Sequence, residues 1–208
     1  MKPCREPRIV IIVRDEELVE ESLVTGQLVC PACGGRLRKH GYSPQRSVRT
    51  RYGGCRSLRP ARVRCTVAQC GRTQVLLPSW CVPGRTDDAD TIGSALVAAA
   101  AGQGHRRIAA RLGLPPDTVR GWLRAARAHA GWLYRAAVTT QGRFSVGSED
   151  PVTPRPAGSP LGDAVDALGA AAATVKRFLG AATRTSAWPL IIVITGGRLL
   201  RPLRRRSD

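Results

Sequence analysis

Cysteines are the residues in this chain best equipped for chemistry, and four of them fall into two pairs, Cys30 with Cys33 and Cys65 with Cys70. Thiolates two residues apart and followed by Gly34 and Gly35 suit a knuckle in which backbone N–H groups turn toward sulfur. Two such pairs make a tetrahedral ligand set for a structural Zn²⁺. The second pair has four residues between its cysteines instead of the usual two, so Cys55, Cys81 and His40 stay open as replacement ligands. Cys4 completes the seven. No histidine and acid stand in sequence beside a spare thiol as a cysteine nucleophile would need.

A second constellation spans 105–127, HRRIAARLGLPPDTVRGWLRAAR. Ile108, Ala109 and Leu112 recur at helical spacing, as do Val119, Trp122 and Leu123, with a break between the two sets. Gly113 can end the first helix in the left-handed region. Pro115 and Pro116 cannot continue it, and Asp117 is placed to cap the next. So tight a connection sets the second helix steeply across the first, as in a DNA-binding helix-turn-helix. In that motif the second helix enters the major groove. Its outward side chains here are Asp117, Thr118, Arg120, Gly121 and Arg124. Arg120 and Arg124 suit guanine or phosphate, with His105, Arg106 and Arg107 near the backbone. A plain helical hairpin with solvated arginines is the duller alternative.

Charge points the same way. The 208 residues carry a net charge of +18, which exceeds what solubility asks and implies a polyanionic partner, double-stranded DNA first. No apolar run is long enough to span a membrane. The N-terminal apolar run ending at Val13 is too short for a signal core, which implies a cytoplasmic, nucleoid-associated protein. An odd cysteine count in that compartment argues against a disulfide framework.

The elements that must position these residues follow in order. Residues 8–13 read as a strand and 15–23 as a short amphipathic helix with a solvated acidic face. Segments 46–51, 59–64 and 73–77 are β-prone and lie around the cysteine pairs, the pattern of a zinc ribbon. Asp87, Asp88 and Asp90 start a helix whose inner face is Ile92, Leu96, Ala99 and Ala100. That helix is the first of a homeodomain-like three. The third is expected to run on past Arg127, because Ala126, Ala130, Leu133 and Tyr134 keep its phase. Trp122 and Trp132 belong to the core. Residues 139–160 read as a flexible linker. Ser159 and Pro160 then begin a helix with a stripe from Leu161 to Leu179 that needs a partner surface. Residues 188–195 read equally as strand or helix.

The order CPAC-G, RVRC, CG and helix-turn-helix resembles the N-terminal DNA-binding part of bacterial insertion-element transposases. It is most similar to an uncharacterised, mobile-element-associated zinc-ribbon and helix-turn-helix family of high-GC bacteria, over 27–133. The resemblance implies zinc on Cys30, Cys33, Cys65 and Cys70, and DNA contact from 117–124. A transposase's three metal-binding carboxylates have no counterpart here: after Arg127 only Glu149, Asp150, Asp163, Asp166 and Asp208 remain, so no enzymatic activity is expected.

The expected fold is therefore α+β: an N-terminal strand, helix and zinc ribbon over 1–80, a trihelical domain over 84–138, the linker, and a helical segment with a basic tail over 161–208. The expected function is sequence-specific DNA binding as an accessory or regulatory factor of a mobile element. Two other readings stay open. One is the DNA-binding subunit of a split transposase or recombinase, and the other is a protein-interaction module, with a homodimer possible under any of them.

Overall fold

A computed structural model describes residues 9–14, 18–51, 53–145, 154, 158–180 and 185–200. Cys4, Arg8, the acids at 15–17, half of the expected linker and the basic tail lie outside the described residues. The fold is mixed α+β, with the strands preceding the long helices.

Strand β1, Ile9–Val13, is the apolar run expected there. It pairs parallel with β6, Thr73–Pro78, and the sheet continues through β5, Ala61–Cys65, to β2, Leu37–Tyr42. Alternation gives the sheet its inner face: Val13, Leu37, Val63, Cys65 and Leu76 are buried with Cys30 in one small cluster. Helix α1, Val19–Val24, lays Val19 and Leu23 on that cluster. Strands β3, Arg46–Arg49, and β4, Cys55–Leu58, form a separate hairpin. Its Val48 and Leu58 pack with Leu77 and Cys81 against Val10 and Ile12, on the opposite side of β1.

The hairpin is fastened to the helices by a forked ion pair. Arg49 Nε and Nη2 donate to Asp87 Oδ1 and Oδ2 at 2.8 and 3.1 Å, and Asp88 N–H donates to Arg49 carbonyl at 2.9 Å. Asp88 then caps α2, Ala89–Ala100, accepting from Thr91 N–H at 2.7 Å. Asp90 sits in its first turn. The buried face of α2 is Ala89, Ile92, Ala95, Leu96 and Ala98. The expected Ala99 and Ala100 are only half-buried, because the contact stripe lies one position earlier.

Helices α3, His105–Leu112, and α4, Pro116–Ala128, follow. Three expectations shift here. Helix α4 begins on Pro116, whose fixed φ suits the first helical position, so Asp117 lies inside the first turn and does not cap it. The helix does not run on past Arg127. His129, at φ −134°, breaks it and opens α5, Ala130–Phe144. The break is held by the imidazole, which bridges Ala125 carbonyl at 2.6 Å and Arg198 carbonyl at 3.0 Å. Helix α5 also takes the first six residues of the expected linker.

Ser159 caps α6, Pro160–Leu179, as its sequence implies, accepting from Gly162 N–H at 3.1 Å. The ambiguous stretch is a helix, α7, Ala187–Ile194. Pro189 in its first turn lacks the N–H a ladder would use, and the apolar side chains Leu190, Ile191 and Ile192 are buried in the helical core instead of along β1, which among the described residues pairs only with β6. Helices α6 and α7 form no unit apart: Leu161, Leu168, Leu190, Ile191 and Leu199 share one core with Ile92, Ile108, Trp122 and Leu133.

Candidate metal centre and nucleic-acid interface

The first cysteine pair sits on a turn that β2 pulls shut. Val29 bridges Arg36, Cys30 N–H donates to Gly35 carbonyl at 2.8 Å, and Gly34 N–H returns to Cys30 carbonyl at 2.8 Å. Gly34 holds φ +72°, the conformation glycine tolerates best. The second pair closes the β5–β6 connection, with Cys70 and Gly71 N–H both donating to Val67 carbonyl at 3.0 and 2.9 Å. The four-residue spacing is thus taken up by a turn that swings Cys70 back over Cys65.

All four sulfurs lie within 4.8 Å of one another. Cys30 Sγ is 3.8 Å from Cys70 Sγ, and Cys33 Sγ is 3.5 Å from Cys65 Sγ. Tetrahedral ligands on metal–sulfur bonds of about 2.3 Å stand roughly 3.8 Å apart, so the set fits a four-coordinate metal ion. The candidate substitutes lie elsewhere: Cys81 is buried in the β-hairpin's core, and Cys55 and His40 are exposed on strands.

The electrostatics of the clustered thiols are uneven. Burial pushes the Cys30 thiol up, but N–H donors of Ala32 and Cys33, with the Cys70 and Cys33 thiols, outweigh it and bring it down to about 7. Cys65 goes the other way, to about 12, driven first by burial and then by neighbouring sulfurs, against one N–H from Val67. Cys30 therefore sheds its proton readily while Cys65 and Cys70, both pushed up, retain theirs. A bound cation stabilises all four thiolates together.

Two contributors carried no cysteine signal in the sequence. Gln74, fully buried, donates Nε2 to Cys30 Sγ at 3.3 Å, orienting a ligand from behind. A polar residue in phase with buried Leu76 on β6 was the available hint. Gly35 is the other: a Cβ there would stand 2.4 Å from Val67 Cγ2 and within 3.3 Å of two sulfurs.

The second constellation is assembled as a tight pair of helices. Gly113 terminates α3 at φ +63°, ψ +35°, and Leu114 N–H returns to Ala109 carbonyl at 3.0 Å. Ile108, Ala109, Val119, Trp122 and Leu123 are buried between α3, α4 and α2. The opposite side of α4 is exposed at Asp117, Arg120 and Arg124, with Thr118 and Gly121 half-buried. Arg106 and Arg107 are exposed at the start of α3 and His105 is half-buried. Arg120 Nη2 reaches Asp117 Oδ1 at 3.2 Å, with both side chains mostly in solvent. Such a pair is worth well under about 1 kcal/mol, so Arg120 can leave it for a stronger acceptor.

Residues 30–113 match a family described only as a domain of unknown function, DUF6431. The matched stretch holds all four clustered cysteines and ends where α3 ends, before the cationic face of α4. No curated protein and no solved structure matches the chain. Among the described residues, no helix is long and apolar enough to cross a membrane.

Proposed function

We propose that the protein binds double-stranded DNA sequence-specifically, with α4 as the reading helix of a helix-turn-helix and a structural Zn²⁺ on Cys30, Cys33, Cys65 and Cys70 forming a zinc ribbon. The observation that carries this reading is the division of α4. Val119, Trp122, Leu123 and Ala126 are fully buried, while Arg120 and Arg124 project from the other side into solvent. A helix fixed along one face and cationic along the other is presented as major-groove recognition requires. Arg106 and Arg107, a short turn away, would hold the flanking phosphates.

Zinc is the metal that four thiolates at tetrahedral spacing favour, and a fully ligated set leaves no open position for chemistry. The reading is therefore non-enzymatic, and the role that the resemblance implies is that of an accessory or regulatory factor of a mobile element. Its test is selection of bound duplexes from a random pool, followed by Arg120→Ala on the enriched site. Specific binding should fall by about 1–3 kcal/mol while binding to random duplex changes little. Absence of any enriched motif from the intact, metal-loaded protein would overturn it.

A further inference from the structure

From Ser22 to Thr86 the chain contains twelve lysines and arginines and not one aspartate or glutamate. Several of these cations are met from within. Lys39 pairs with Glu20 and Arg49 with Asp87, from either side of the stretch. Arg56 lies over the Trp80 ring at 4.3 Å and Arg59 over Tyr42 at 5.1 Å. Three others are treated differently.

Arg38 on β2 stands directly opposite Arg64 on β5 in the antiparallel register. Directly opposed side chains on one face have Cβ atoms about 5 Å apart, and like charges so placed destabilise the pair. Arg62 lies two residues before Arg64, hence on the same face. Arg38 and Arg64 are exposed and Arg62 is half-buried. Among the described residues, none of the three forms an ion pair or lies over an aromatic ring. Arg64 has only the Gly71 carbonyl, at 3.2 Å from its Nε. The metal centre does not relieve the repulsion from that side, because Cys65 alternates to the buried face of β5.

We infer that this open face of the β2–β5 pair is a second nucleic-acid surface, one that grips the phosphate backbone of duplex DNA independently of α4. A row of arginines along one face of a β ladder, with no acid in the segment to neutralise it, is the charge complement of a phosphate strand. The inference rests on the duplex-binding reading only for the identity of the polymer, since α4 contributes nothing to this face.

The test uses the full, metal-loaded chain and two labelled duplexes, the selected site and a scrambled one, titrated across a salt series. The variant Arg38→Gln/Arg62→Gln/Arg64→Gln removes the charge while retaining two of each stem's three methylenes, and its metal content and melting curve verify folding. It should lose affinity for both duplexes by the same factor, tenfold or more, and its log–log salt slope should become shallower by about two to three. Arg120→Gln/Arg124→Gln should instead abolish the preference for the selected site. An unchanged salt slope in a folded triple variant overturns the sheet surface even where α4 selectivity holds. A shallower slope with no selectivity from α4 leaves the sheet surface standing and sinks the reading helix alone. Polyglutamate competing as well as duplex at equal charge would overturn the assignment to nucleic acid.

Discussion

At the scale of single residues, the metal centre is a problem of proton release. Metal ligation needs thiolates, and while Cys30 is drawn down to about 7, Cys65 is held up at about 12. Each metal ion bound must therefore expel protons, and acid competes for the sulfurs. Apparent metal affinity should fall as pH is lowered from 8 to 6, with proton release measured alongside a chelator competition. Affinity independent of pH in that window would contradict the thiol site. Which cysteines would meet was legible from two short spacings followed by glycine. Gln74 was not, since nothing in a strand's alternation says that a buried amide will find a sulfur 44 positions upstream, at 3.3 Å.

At the scale of elements, the trihelical core depends on close approach. Gly93, mid-way along α2, carries the ring of Trp188 from α7: a Cβ there would lie 2.0 Å from the ring atoms. Gly93→Ala is expected to cost about 1–3 kcal/mol through overpacking, despite alanine's better helix propensity. Urea denaturation monitored by tryptophan fluorescence would measure it, and a stabilised variant would mean α7 is not docked as described. The strongly patterned elements were plain in the sequence, among them β1, α3, α4 and the Ser159-capped α6. What failed was continuity. Ala126, Ala130 and Leu133 keep one phase across His129, so periodicity alone could not show a break that an imidazole makes by reaching the distant Arg198 carbonyl. The stretch 188–195 was undecidable for a related reason: its β-branched residues favour a strand, and it is the helical core, where Leu190, Ile191 and Ile192 are buried, that makes it a helix.

Over the whole molecule, two cores of unequal means are joined. The cluster around Cys30 and Cys65 has few apolar side chains of its own, whereas the helical core is extensive and contains no cysteine. Stripping the metal should therefore melt the sheet at a lower temperature while helical circular dichroism persists to a second transition. A single unchanged transition would show that the sulfurs do not hold the sheet. The α+β class and the order of sheet before helices were readable from composition and spacing, but the merging of the C-terminal helices into the central core was not, because an apolar stripe does not name its partner. The two cores meet at β1, where Ile11 packs on the cysteine cluster and Ile12, beside it, touches both the hairpin core and the helical core. Gly197, just past α7, comes so near that a Cβ there would stand 2.9 Å from Ile12 Cδ1. During synthesis, then, β1 waits for the turn after α7 before it is fully roofed, so a chain stalled beyond α4 would leave both that seam and the core face of α4 uncovered. Such a product would expose apolar surface that chaperones or proteases recognise.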